Sequence, residues 1–530
     1  MAETIDNTYY PGDWVRPRDN NGEWKPIFDP MEVYCGHRGT TRKGDFEVFD
    51  DPTGVKITIE EASKSEPILE VDKVPWETRD VHPLWTWQGD GDYGMLYFHS
   101  FNNSQSKNNV GYAVSEDGYD WTRPDLGMVE HNGSTSNNLI PTNPHGPLFF
   151  EDPTAPAEER FKSITNYGGG LVNGETGESL GQNGPQYWKA QEYEGYAYDG
   201  PRVELSGKAT GWTSPDRINW KRIEKPLLDA PIDGGIAGGY DPETKSYFAY
   251  VRLHGLPSPE LQGIGGIGPE KGIVRRAIGF TRTKDFYNWP PPKLVLHPDG
   301  QDDLDISFYG SSYFRYPGQK SLHCLLIQVY HHISDTVDCQ IAFSRDGIYW
   351  HRPERRSIIP LGATGSAEDA RVYSWGSGLV ELPNGDWGYA YSGRAWLHNE
   401  RRDTCEVLAR PSAKIRWARW NPHRLCGIEA TTYGEFTIPT IHRVGKHLSL
   451  NYRCNLGGWV SVELLRRIPS AAHLDVDPIE GFTFDQSDRL TGDCVDKTVT
   501  WNGNADISGI GDTVAIRIRL FGAKVFAYKV

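Results

Sequence analysis

"AFSRDGIYW", residues 342–350, reads as a strand, a turn and a tryptophan, and the chain repeats the phrase. "AVSEDGYDW" stands at 113–121, "WTSPDRINW" at 212–220 and "FTRTKDFYNW" at 280–289. Asp or Asn beside Gly marks a tight hairpin, because such turns need positive φ and the Asp side chain can bond its own backbone. An apolar stretch runs into the hairpin, as in "NVGYAVSEDG", "RRAIGFTRTKD" and "DCQIAFSRDG". A Trp at the same place in every hairpin can wedge between adjacent sheets. Recurrence at about 60–100 residues, with inserts, is the spacing that the blades of a β-propeller produce. "GSGLVELPNGDWGYAYSG" at 376–393 adds a sheet with its own "NGDW" turn, so the expected count is five blades.

The rest of the chain agrees with an all-β reading. Runs such as "GMLYFHSF", "SYFAYVRL", "SLHCLLIQVY" and "WGYAYSG" cluster aromatic and β-branched residues between Gly, Asp, Asn and Pro turns. A sustained helical period is absent; "AEERFKSI" is the best short candidate. At 530 residues the chain is too long for one compact core. After about residue 405 the hairpin disappears, and "HLSLNYRCNLGGWVSVELL" and "TVAIRIRLFGAKVFAYKV" alternate as strands of a β-sandwich. The expected organisation is an irregular extension over 1–74, a five-bladed propeller over 75–405, a linker over 406–425 and a sandwich over 426–530.

Bulk properties narrow the function. A formal charge of −16 without a basic stripe argues against nucleic acid as a partner. No apolar run approaches the ~20 residues of a membrane span, so no membrane partner is expected. Seven cysteines at scattered positions, without CxxC pairs, fit a reduced compartment better than a disulfide framework. The start "MAETIDNTYYPGDW" has neither a basic segment nor an apolar core, so a cytoplasmic location is expected. Homo-oligomerisation stays open.

An acid leads each expected blade: Asp80 in "ETRDVHPLWTW", Asp152 in "LFFEDPTAP", Asp233 in "APIDGGIAGGYDP", Asp305 in "DDLDISFYGSSYF", and Glu368 with Asp369 in "GSAEDARVYSWGS". If the leading residues face the axis, a ring of carboxylates surrounds one pocket. Like charges crowded together spread their pKa values apart, which supplies one acid and one base. Glycoside hydrolysis needs that pair. Arg79, His82, Trp85 and Trp87 travel with Asp80, and Arg371, Tyr373 and Trp375 with Asp369; aromatic faces beside carboxylates suit a sugar ring. His331 and His332 in "VYHHIS" point to opposite faces of a strand, so at most one lines the pocket, and neither a metal nor a cofactor is expected.

These residues resemble the five-bladed propeller glycosidases, both the invertase and fructanase group (glycoside hydrolase family 32) and the arabinanase and xylosidase group (family 43). The hairpins, the leading acids and the C-terminal sandwich carry the resemblance, which spans roughly residues 75–530. It implies a carbohydrate substrate, with cleavage of a furanoside-type bond such as a fructofuranoside or arabinofuranoside. In the invertase group a nucleophilic Asp, a transition-state-stabilising Asp and an acid/base Glu lie in blades one to three. By that pattern Asp80 is the nucleophile, Asp152 in "EDP" holds sugar hydroxyls, and Asp233 replaces the Glu as proton donor. Arg79, His82, Trp85, Trp87, Asp305, His331, Glu368, Asp369, Arg371, Trp375 and Arg394 are the expected substrate contacts. A propeller glycoside phosphorylase, with Arg275, Arg276, His331 and Arg394 as candidate phosphate ligands, and a non-catalytic sugar-binding propeller are the alternatives.

Overall fold

The structure is a computed structural model. It describes residues 18–33 except 19, 52–99 except 72, 78 and 90, 110–166 except 143 and 144, 209–228, 233–256, 275–400 except 377, 404–469 and 474–530, with short strands at 37–40, 46–49, 171–173, 179–181 and 203–205. Regular structure here is nearly all β; the α-helix Cys405–Leu408 has four residues. No helix among the described residues is long and apolar enough to cross a membrane. The chain forms two compact units, a larger one of residues 61–316 and 321–419 and a smaller one of residues 1–60, 317–320 and 420–530.

The larger unit is a succession of antiparallel sheets. The first contains Val81–Gln88, Tyr93–His99, Val110–Ser115 and Leu139–Ile140, and the second contains His145–Glu151, Phe161–Asn166, Ala209–Ser214 and Lys221–Arg222. Asp233–Asp241, Ser246–Leu256, Arg275–Thr283 and Lys293–Leu296 make the third. Ile306–Arg315, His323–His331 and Thr336–Ser344 make the fourth, joined by one parallel pairing, Val337 with Arg371, to a fifth group of strands. That group contains Arg371–Tyr373, Leu379–Glu381, Trp387–Arg394 and Lys414–Trp420, edged by Ser63–Lys64 and Leu69–Glu70. So 63–64 and 69–70, expected in an irregular extension, and 414–419, expected in a linker, belong to strands of this unit. The edge pieces are two residues each, too short to show a period; their place is set by pairing with "KIRWARW".

The repeated phrase builds the same device three times and part of it a fourth. Ser115 Oγ accepts from the backbone N–H groups of Asp117 and Gly118, and Asp117 Oδ1 accepts from those of Tyr119 and Asp120, each at 2.8–3.3 Å. Ser214 with Asp216, and Ser344 with Asp346, repeat this set, and Thr283 with Asp285 repeats part of it. Three of the turns use a left-handed residue: Gly118 and Gly347 supply φ of 75°, and Arg217 holds φ of 70° in the same place. Trp121, Trp220 and Trp289 curl back to donate Nε1–H to the carbonyl three residues earlier.

The ring then packs against the preceding sheet. Trp350 stands edge-on to Tyr250 of the third sheet, and Trp289 shares a core with Leu148 and Phe150 of the second. Trp220 shares a core with Leu84 and Trp85 of the first. Trp121 of the first sheet lies beside Trp417 of the fifth, and the indoles of both donate to Gly118 O. Trp289 is 8% exposed, and the other three are half-buried. The expected burial between sheets is thus met fully by one ring and in part by three. At their opposite edges the first strands also touch in sequence: Val81–Gln88 lies against His145–Glu151, that strand against Asp233–Asp241, that one against Ile306–Arg315, and Trp387–Arg394 returns to Val81–Gln88.

In the smaller unit the long strands Cys426–His442, Ser449–Pro469 and Thr513–Lys529 form the middle of a seven-stranded antiparallel sheet. Register shifts between Ala430 and Tyr433 and between Cys454 and Trp459 mark bulges, which bend strands. Side chains from both sides of the bulges, among them Ile428, Phe436, Val462 and Ile518, share one buried core. No disulfide joins the six described cysteines to one another.

Trp417 is fully buried and carries one of the two bonds to Gly118. Trp417→Ala should lower stability by about 3–5 kcal/mol, the usual range for removing a buried aromatic, read as a shift of the urea midpoint. An unchanged midpoint would remove this contact from the account of how the first and fifth sheets are held.

Candidate active site

The first strands of the sheets approach one another through glycines. A Cβ on Gly146, where φ is 53°, would lie 2.3 Å from Gly234 Cα. One on Gly235 would lie 3.0 Å from Gly310 Cα and 3.4 Å from Trp375 Nε1. Further along the same two strands, a Cβ on Gly239 would lie 3.9 Å from Phe150 Cβ. With 146 beside 234 and 150 beside 239, the second and third sheets' first strands run in the same direction. Their starting ends meet where Trp375 stands.

Polar and aromatic side chains converge there. Asp80, immediately before the first strand, is 3% exposed, and its Oδ1 lies 2.5 Å from Arg394 Nε of the fifth sheet. The pair is in ion contact without hydrogen-bond alignment. Arg394 aims its Nη2 instead at His82 Nδ1, 3.0 Å away. A guanidinium only donates, so Nδ1 must accept and the His82 proton sits on Nε2. His82 stacks on Phe98 and meets Trp375 edge-on at 5.1 Å. Arg394 lies over the Tyr373 ring at 4.3 Å. Trp375 stacks on Tyr309 at 6.1 Å and 7°, and Tyr309 meets His398 at 4.7 Å. Arg252 donates to Tyr309 O and covers its ring at 4.3 Å, while Arg276 reaches the rings of Tyr309 and Tyr330. Arg371, 1% exposed, donates Nη1 to Tyr373 OH at 3.1 Å.

Among the expected contacts, Asp80, His82, Arg371, Trp375 and Arg394 are therefore brought together. Others are not. Asp152 follows the end of its strand, opposite the end where Gly146 meets Gly234, and its carboxylate is spent locally. Its Oδ1 accepts from Thr154 N and Oγ1, and its Oδ2 from Tyr247 OH at 2.5 Å. These hydrogen bonds outweigh burial and hold its pKa below the usual carboxylate value. Trp85 and Trp87 pack between the first and second sheets, with the Arg217 guanidinium over both rings. Arg79 is tied to Arg410 O and lies over Trp396. Asp305 accepts from Ile333 N in the turn after His332. His331 is bound to Asp338, whose hydrogen bond raises its pKa. Glu368 bridges Tyr391 OH at 2.8 Å and Lys64 at 3.1 Å, and Asp369 accepts from Gly365 N. The backbone of Asp233 begins the third sheet, paired with Arg252, but its side chain lies outside the described residues, as does that of Arg275. Tyr373, expected beside Asp369 as an aromatic face, is here as well, whereas Arg252, Tyr309, Tyr330 and His398 were missed. Their common signal is position near the starting end of a first strand, or beside it, which only pairing reveals.

No family model matches the chain, and no curated protein matches it. Solved structures do resemble it. An α-L-arabinofuranosidase of Podospora anserina, in complex with cellotriose, is 11% identical, with a TM-score of 0.40 over 69% of this chain and 99% of that one. A family 32 β-fructofuranosidase of Bombyx mori is 9% identical, with a TM-score of 0.36 over 95% of each chain. An N-acetylgalactosamine deacetylase from F. plautii is 12% identical, with a TM-score of 0.37 over 75% of this chain and 94% of that one. Identities and scores this low carry no argument, so function rests on the residues themselves.

Two outcomes follow from the geometry. Asp80 is buried against Arg394, so Asp80→Asn should destabilise the fold by about 3–5 kcal/mol by stranding a buried cation. That departs from the expectation for an acid lining an open pocket. The double variant Asp80→Asn/Arg394→Met should recover most of the loss in a denaturant titration, and failure to recover would show that the pair is not coupled.

The second outcome concerns pH. Burial, reinforced by Arg371, pushes His398 down to about 4, and burial holds His323 and His423 at about 4 and His99 at about 3. A histidine whose folded pKa is depressed binds more protons when unfolded. Stability from these four is complete above about 6.5 and lost as pH falls from 6.5 towards 4. Urea midpoints at pH 7 and pH 5 should differ accordingly, and His398→Gln should shrink the difference.

Proposed function

We propose that the larger unit is a five-bladed β-propeller, that the smaller is a β-sandwich, and that the chain is a glycoside hydrolase acting on a furanoside-type bond at the propeller axis. The serial contact of the first strands and the return of the fifth group to the first sheet support the propeller. One core shared across the bulges of the long strands supports the sandwich. The observation that carries the function is a carboxylate, Asp80, held beside His82 and Arg394 where the first strands meet and where Tyr309, Tyr373 and Trp375 offer flat faces. Aromatic faces take the apolar side of a sugar, and charged donors and acceptors around them fix its hydroxyls.

In this reading Asp80 attacks the anomeric carbon or activates water, and Arg394 and His82 hold it in place. Asp233, whose backbone opens the third sheet beside Gly234, is the second carboxyl and donates the proton to the leaving oxygen. A positioned acid or base is worth ~10²–10⁴-fold in rate. Asp233→Asn should therefore lower kcat on an arabinofuranoside or fructofuranoside substrate by that factor, whereas Asp152→Asn should leave kcat within a few-fold and act on stability. The measurement is initial rates across a furanoside panel, with and without inorganic phosphate. Turnover that requires phosphate would make the chain a phosphorylase, and binding without turnover would make it a lectin.

A further inference from the structure

Most of the charge that the described side chains bring to this site is positive. Among the described residues, four guanidinium groups, those of Arg252, Arg276, Arg371 and Arg394, contact its aromatic rings. Two described carboxylates accompany them, Asp80 committed to Arg394 and Asp335 committed to Tyr330 and Asn399, besides Asp233, whose side chain lies outside the described residues. Arg371 is the telling member. It is 1% exposed, yet its Nε and Nη2 have no hydrogen-bond partner among the described residues, while its Nη1 is used by Tyr373. Nε–H and Nη2–H lie side by side on one edge of the guanidinium. That edge is a two-pronged fork whose spacing matches two oxygens of a single carboxylate or phosphate. A hydroxyl of a neutral sugar can satisfy one prong and leaves the charge uncompensated.

The geometry points to an oxyanion on the substrate, received by the free edge of Arg371. Resting on the glycoside-hydrolase reading of the same site, it makes the substrate an acidic saccharide, with a uronic-acid carboxylate or a sugar phosphate ester as the two sources of the charge. Arg371 binds here and takes no part in bond breaking. Its neighbour Tyr373 fixes which edge is left unpartnered by occupying the third nitrogen.

The test is a binding titration of the full chain, read by calorimetry, with sugars that differ only at the terminal carbon. D-glucose, D-glucuronate and D-glucose 6-phosphate form one set, and D-galactose, D-galacturonate and D-galactose 6-phosphate the other. At least one anionic member should bind about tenfold or more tightly than its neutral counterpart. Preference for a uronate identifies the carboxylate source, and preference for a 6-phosphate identifies the ester. Arg371→Met should bring the anionic and neutral affinities together, and Arg371→Lys, which keeps the charge and loses the fork, should retain only part of the preference. If neither set shows anionic preference in the unaltered chain, or if a folded Arg371→Met keeps it, the inference is overturned. Arg371-dependent uronate binding with no hydrolysis of any glycoside would leave this inference standing and remove the hydrolase. Turnover of neutral furanosides with no anionic preference would do the reverse.

Discussion

The contact on which the larger unit turns is the buried ion pair between Asp80 and Arg394. Asp80 precedes the first strand of the first sheet, and Arg394 ends Trp387–Arg394 in the fifth group. The pair thus ties the last strands of the unit to its first. Both members are almost fully buried, and a buried ion pair is held by mutual neutralisation more than by net gain. Removing either partner leaves a buried charge without its counter-charge in this pair. The same geometry sets the site, because Arg394 also reaches His82 and lies over Tyr373.

Closure at that end has a counterpart at the turn hairpins. Gly118 O receives two indole N–H groups, one from Trp121 in its own hairpin and one from Trp417 in the fifth group. One seam is polar and the other aromatic, and both join the same two sheets. Between the remaining sheets the motif rings and their cores suffice, and the glycine contacts at 146, 234, 235 and 310 let the backbones approach where any side chain would hold them apart.

The site is unlike the symmetric ring of acids that the blade-leading residues suggest. Carboxylates near strand ends do recur, but Asp152, Asp305, Glu368 and Asp369 are each engaged by a nearby backbone or side-chain donor. Arginines occupy the positions around the aromatic rings instead. Four of them come from the second and third strands of the third sheet and from the two strands that pair at Arg371 and Arg394. Their separation in the chain hides the cluster.

What was legible in the sequence was local. The Ser–x–Asp–Gly turns, the Trp three residues beyond and the change of pattern after about residue 405 depend on neighbours a few positions away, and the structure builds those turns with the bonds their residue types can make. Asp80, His82, Arg371, Trp375 and Arg394 were also found, because they cluster at the boundaries of readable strands. Tertiary structure alone decided which end of a strand an acid occupies. "TRDVHP" and "FFEDPT" both set an Asp at the edge of an apolar run, but Asp80 comes before its strand and Asp152 comes after. Since side chains of a fully buried strand are apolar on both faces, no alternation marks where it begins. A shift of one strand length then moves a carboxylate from the site to the opposite end of the sheet.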